Sequence, residues 1–365
     1  MTTLRLAPLV LAGLTASAQK TPPFEPDYQY HLGDLAIPRA HAAEPVRSAF
    51  SLEAALRHLD EAALIWTRQA QCVSCHTSGT YLLVRPQFPA GLGAPAEEVR
   101  DFFISVLDRY DSKPPEWFTS FNPAQVIYTA AGLAEYDARI RRALSPATDR
   151  ALRNMLSVQL PSGSWSSATC WPPLESSAYH AATIAARAIA VAPGWLADLR
   201  DETGRDRISR LIGYLRGPNA QHDYDHVSVL WTAGVWPDLL PSARRRELVS
   251  MVRSRQNRDG GWSLRAFARP EQWGDGNRAT RLRAEPEADR SASDAHMTGL
   301  AVLALAANGA RPGDPAIRRA IAWLKSNQRE SGRWWTRSLN TDKWNFITFS
   351  ATAYAALAIA TCGRQ

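Results

Sequence analysis

The sequence predicts an all-α protein, a single (α/α)6 toroid of six helical hairpins closed into a barrel, preceded by an extended lead-in. The first supporting observation is a repeated skeleton: Gln, three residues, Gly, one residue, Trp. It occurs at Gln159…Trp165, Gln256…Trp262 and Gln328…Trp334. Each copy ends a helical pattern, with a Gly where the chain must turn and a Trp to pack over the turn. The second observation is a strict alternation of two helix types, and the third is an alternation of short and long connections.

Taken in order, residues 1–18 read as an export signal. One positive charge lies in Met1 to Arg5, Leu6 to Leu14 is apolar, and Ala16-Ser17-Ala18 has the small-x-small form of a signal-peptidase site. Cleavage after Ala18 implies a periplasmic or secreted protein, and the apolar run is too short to span a bilayer. Residues 19–50 contain prolines, lack periodicity and form the lead-in, and residues 51–363 form the toroid. Amphipathic, charged helices are expected at 52–69, 95–110, 146–159, 205–216, 241–256 and 315–328, several of them opening near a Pro. Each is followed by a small-residue helix that is apolar nearly all round: 80–88, 123–136, 178–192, 227–239, 295–308 and 348–361. Such segments must be buried, so the charged set belongs outside and the Ala-rich set inside. Pro86 threatens the first inner helix.

All outer-to-inner connections of a toroid lie on one rim. The long ones, 163–177, 257–294 and 329–347, therefore crowd that rim, which is where a site belongs. The stretch 278–290 is charged enough to be mobile. The formal net charge is +7, but acidic residues are interspersed throughout. No compact basic block interleaved with aromatics is present, which argues against a nucleic-acid partner. A basic surface does suit anionic membrane faces or acidic partner proteins.

The sharpest local signal is Cys72-Val73-Ser74-Cys75-His76. C-x-x-C-H is the attachment pattern of haem c: two thiols one helical turn apart form thioethers and the adjacent His reaches the iron. The resemblance to cytochrome c attachment sites covers only this motif. A redox-active Cys72–Cys75 pair, a zinc site with an incomplete ligand set, and plain packing are the competing readings. Cys170 and Cys362 are not assigned a state. If His76 binds iron, candidates for the distal position are His180, His222, His226, His296 and Met297, each at or near the start of an inner helix. For each one, an ordinary capping or pocket role is the competing explanation.

The Gln/Trp skeleton resembles the QW repeat of squalene-hopene cyclases and the wider terpenoid cyclase and protein prenyltransferase α/α-toroid superfamily. Carried over, the resemblance implies that Gln159, Gln256 and Gln328 hydrogen-bond at helix ends while Trp165, Trp262 and Trp334 stack on them, as structural and not catalytic residues. Cyclases of that family protonate an alkene with Asp-x-Asp-Asp, which is missing here. The nearest fragment, His222-Asp223-Tyr224-Asp225-His226, makes Asp223 and Asp225 candidate acids beside the simpler reading of a solvated turn. The Asp-x-Cys element of zinc-dependent prenyl transfer is also missing. Glu175 is a candidate rim carboxylate, and a charge at a helix N-terminus explains it equally well. Trp171, Trp231, Trp236, Trp273, Trp335, Trp344, Tyr179 and Tyr354 supply aromatic surface that could hold an isoprenoid chain or a carbocation, or simply pack the core. Three functions follow: an exported haem-carrying toroid in electron transfer with an apolar or isoprenoid ligand, a terpenoid cyclase or transferase with a different acid, or a binding scaffold.

Overall fold

The computed structural model describes residues 26–120, 122–169 and 171–363. The signal segment with Ala18, the start of the lead-in and Cys170 lie outside the described residues. Six hairpins follow in sequence. They are α1 (Leu52–Ala70) with α2 (Ser78–Val84), α3 (Glu97–Asp111) with α4 (Asn122–Tyr136), and α5 (Pro146–Ser157) with α6 (Ala178–Val191). After a single turn, α7 (Trp195–Asp198), come α8 (Glu202–Arg216) with α9 (Asp223–Ala233) and α10 (Ser242–Ser254). The next long connection carries the short α11 (Ala279–Arg283) and α12 (Glu287–Ser291) before α13 (Ala295–Ala307), the partner of α10, and α14 (Pro315–Ser326) with α15 (Phe346–Cys362) completes the set.

The inner helices touch in a closed cycle, α2 to α4, α6, α9, α13, α15 and back to α2. The expected (α/α)6 toroid is therefore present. Composition explains the two layers. α15 is buried at every described position except Thr361, because Ala, Thr and Ser let helices approach on all sides. By contrast, α5 and α14 bury only one stripe and turn Arg, Asp and Lys outward. Ser51, Ser145, Ser177, Asp201 and Asp294 each cap a helix by accepting a backbone N–H.

The three Gln/Trp turns share one geometry. Each Gln side-chain amide donates to the carbonyl of the Gly four residues on and to the next outer helix: Gln159 to Arg207 O, Gln256 to Ala316 O and Gln328 to Ser51 O. The last of these closes the ring, because Ser51 caps α1; Ser51 N–H also donates to Gln328 Oε1 at 2.8 Å. Each Trp is buried, and its indole N–H donates to the preceding outer helix, at Met155 O, Val252 O and Leu324 O. Each ring is thus held by a hydrogen bond to backbone. Gly332 has φ +91°, and a Cβ there would sit 2.4 Å from the Ala54 backbone, so only glycine allows this turn to press against α1.

Several expectations shift. The lead-in is not simply extended. Its described part holds a 3-10 turn (Pro26–Gln29) and a two-residue hairpin, β1 (His31–Leu32) with β2 (Leu35–Ala36). Glu44 then enters a buried ion pair with Arg333, and Val46 bridges to Arg329. The fourth inner helix begins at Asp223 rather than 227 because His222 caps it, and it stops at Ala233, with Pro237–Leu239 forming a separate turn. As anticipated, Pro86 ends the first inner helix early. The charged stretch 278–290, expected to be mobile, forms the helical turns α11 and α12, tied down by Arg265–Glu285 and Arg337–Asp289.

Candidate functional site

On the rim that carries the long connections, the α1–α2 turn places the Cys/His motif among aromatic rings. Gln71 takes a left-handed conformation that ends α1, and residues 72–77 run as irregular turn until α2 starts at Ser78. The two thiols are therefore not one helical turn apart, because Ser74 and Ser78 tie this segment with side-chain to backbone hydrogen bonds that replace helical ones. Cys72 and Cys75 are thiols rather than a disulfide, as is Cys362. They face different neighbours. Cys72 lies near Trp66 and Arg109 of the outer helices, and burial raises its pKa to about 11. Cys75 is close enough to Tyr128 and Tyr354, on the inner helices, to oppose their ionisation.

His76 stacks on Phe346 with ring centroids 3.4 Å apart and meets the edge of Trp66 at 4.7 Å. Trp171 and Trp344 lie at 5.0 and 5.1 Å on the same Phe346 ring. Burial lowers the His76 pKa to about 3, so the imidazole is neutral, and its Nδ1 is within hydrogen-bond distance of Thr77 Oγ1 (2.9 Å). The donor set fits haem in kind: two thiols, a neutral imidazole with Nε2 remaining as ligating atom, and flat apolar walls. Attachment at both cysteines requires the 72–77 turn to bring the two thiols to one face.

A second cluster fills the axis at the start of the inner helices. Tyr224 is its hub, with His180 and His296 ring centroids each 5.8 Å away, His222 at 6.1 Å and Trp273 at 5.7 Å. The Tyr224 hydroxyl lies 2.9 Å from His296 Nε2, and His296 Nδ1 lies 2.8 Å from Ser350 Oγ. Deeper along the axis, Arg187 forms a fully buried ion pair with Glu135 and stands 4.0 Å over the Trp231 ring.

The predicted residues separate by surroundings. Asp223 is half-exposed and pairs with Arg255 and His226. Asp225 is buried, accepting from Ser177 Oγ and Gln221 N–H, and burial raises its pKa. Both carboxylates are thus committed to local bonds. Among the distal candidates, His296 has both nitrogens engaged, His222 Nδ1 caps α9, and His226 sits between Asp223 and Arg244. Met297 is fully buried at the start of α13, while His180 Nδ1 is buried without a hydrogen-bond partner. Glu175 is buried at φ +50°. Sequence reading missed Tyr224, Ser350, Asp294, Glu135 and Arg187. Asp294, held at a pKa of about 6 by burial, was detectable as a capping residue before an apolar run. The Glu135–Arg187 pair had only one faint signal, charges inside otherwise apolar helices.

Residues 238–360 match the squalene-hopene cyclase C-terminal domain family. The chain is also similar to the structure of a type II terpene cyclase, MstE from Scytonema in its apo form. The two share 14% identity, with 85% of this chain and 96% of that chain covered and a TM-score of 0.49. No curated protein matches the chain. The C-terminal third is thus similar in sequence to a cyclase domain, on a chain whose own helices close into an α/α toroid.

Proposed function

We propose that this is an exported toroid protein that carries covalent haem c on its loop-rich rim and exchanges electrons with a partner protein, with an apolar or isoprenoid molecule as ligand. The single observation that supports it best is the neutral His76 imidazole in the turn that carries the two thiols, packed against Trp66 and Phe346, with Trp171 and Trp344 on the same Phe346 ring. In this reading Cys72 and Cys75 would hold the porphyrin through thioethers and His76 would supply Nε2 to the iron. When bound, haem supplies a one-electron iron couple. The aromatic wall excludes water, and Thr77 orients the imidazole. A basic surface would favour an acidic partner or an anionic membrane face.

The test is expression with a c-type haem maturation system. Haem should survive denaturation and organic extraction, seen as a peroxidase-stained denatured band and a mass increase of one haem. Cys72→Ala with Cys75→Ala should lose both signals, and absence of covalent haem in the unaltered protein rejects the reading.

A terpenoid cyclase is the second reading, favoured by the buried carboxyl of Asp294 near aromatic inner-helix rings. Its acid would be Asp294 or Asp225. Turnover of squalene or a shorter polyprenyl substrate that is lost in Asp225→Asn or Asp294→Asn would put this reading first.

A further inference from the structure

Ser350 Oγ lies 3.1 Å from Ile347 O and 2.8 Å from His296 Nδ1, and the tautomer that satisfies all three groups has Ser350 donating to the carbonyl and accepting the Nδ1–H of His296. His296 Nε2 is then unprotonated, and the Tyr224 hydroxyl donates to it at 2.9 Å. Both rings are fully buried. The phenol therefore faces a neutral base across one hydrogen bond, buried on both sides.

We propose that Tyr224 and His296 form a proton-coupled redox pair. Tyr224 gives one electron to an outer-sphere one-electron oxidant while its phenolic proton moves to His296 Nε2, leaving a neutral phenoxyl radical and an imidazolium. Re-reduction returns the electron to the phenoxyl oxygen and the proton from Nε2. An oxidised phenol is a strong acid, so the transfer is driven even though burial holds the His296 pKa down to about 3. The buried carboxylates Asp225 and Asp294 lie close enough to Tyr224 to oppose its ionisation.

The neighbouring rings supply the electron path and make Tyr224 the resting place of the hole. Trp273 lies 5.7 Å from Tyr224 and, though buried, backs a rim cavity of about 270 Å³, so an oxidant at that cavity takes its electron through Trp273 without contact with Tyr224. Trp231, deeper in the axis, has the Arg187 guanidinium 4.0 Å over its face, which opposes a tryptophan cation there. Three other buried tyrosines have different partners. Tyr179 donates to Leu215 O, Tyr110 shares its hydrogen bond with Thr129, and the Asp60 carboxylate beside Tyr81 is already paired with Arg85. This inference goes beyond the haem reading and stands apart from it: His296, a distal candidate in the sequence, has both ring nitrogens engaged by Tyr224 and Ser350 and is not left to ligate iron.

The experiment uses the full chain labelled with ring-deuterated tyrosine and a photogenerated ruthenium(III) tris-bipyridyl oxidant. It is followed by electron paramagnetic resonance and transient absorption and requires no bound haem. The expected result is a long-lived neutral tyrosyl signal, narrowed by the deuterium label, whose formation slows in deuterated water. Tyr224→Phe should lose it and Tyr81→Phe should keep it. His296→Phe should slow formation about 100-fold and remove the solvent isotope effect. Ser350→Ala, which leaves both rings in place, should slow it less and guards against misfolding of the His296 variant. The proposal is overturned by no tyrosyl signal in the unaltered protein, by an equal signal in Tyr224→Phe, or by wild-type rates in both the His296 and Ser350 variants.

Discussion

The turn after α14 and the turn after α1 do the same topological work, carrying the chain from an outer helix to an inner one on the same rim, yet they use opposite materials. After α14, Gln328, Gly332 and Trp334 satisfy one another and the neighbouring helix: every polar group named is hydrogen-bonded, and the glycine touches α1 backbone. After α1, the same task falls to Cys72, Cys75 and His76, where the Gln/Gly/Trp set is replaced by two thiols and an imidazole that lies against Phe346. The turn after α14 fixes the architecture, whereas the turn after α1 sets two thiols and a neutral imidazole against a wall of rings. A fold with repeated turns can release one copy from structural duty because the others, together with the Gln328–Ser51 closure, hold the ring.

The largest effect that would test this contrast is acid. His58 and His180 in the framework, His296 at the axis and His76 in the turn each have a folded pKa of about 3 against an ordinary 6.5, chiefly through burial. The unfolded chain binds these protons first, so their stabilisation is present above about pH 6.5 and is lost as pH falls towards 3. Asp294 runs the other way: its folded pKa of about 6 exceeds the ordinary 3.8, so it favours folding at low pH and loses that contribution as pH rises through 6. Asp225, also raised by burial, acts with Asp294, and His222, also lowered, acts with the other histidines; five histidines outweigh two carboxyls, and the melting temperature should fall steadily as pH is lowered from 7 to 4. His76→Phe should flatten that slope by one histidine's share; an unchanged slope would mean that the turn is open to water.

Next in size is Trp262→Ala, which removes a fully buried ring and its hydrogen bond to Val252 O. A loss of about 3–5 kcal/mol in thermal or denaturant unfolding is expected. Gln328→Ala should cost about 1–3 kcal/mol, because the N–H and C=O of Ser51 lose their partner where the ring closes. If instead it is neutral, the closure contributes nothing and the contrast between the turns fails. The smallest effect belongs to Cys72→Ala with Cys75→Ala, expected to change the stability of the haem-free protein by about 1 kcal/mol or less. A loss as large as that of Trp262→Ala would show that the α1–α2 turn is a structural joint like the others.

Much of the fold was legible because its signals are local. Helix type follows from which residues are small or charged at helical spacing, and the Gln/Trp turns repeat. Helix limits were less so: α9 starts early because His222 acts as a cap, an unusual role for histidine, and the cysteine segment is not helical because serine side chains capture its backbone. Of the candidate site, the thiols, His76 and the rim were named by motif and topology. Tyr224, Ser350 and the Glu135–Arg187 pair were not, since each is ordinary in its own helix and gains meaning only opposite a residue far along the chain.

By itself the sequence determined the alternation of outer and inner helices, the three glycine turns and the chemistry of the motif at 72–76, because each depends on residues within a few positions of one another. Only the tertiary structure decided that Gln328 closes the ring on Ser51, that the two thiols face different helices, and that Tyr224 meets His296 across 72 residues. Closing a toroid fixes which inner helices face each other across its axis, and hydrogen bonds between side chains on different helices exist only once that closure has set their distance and angle.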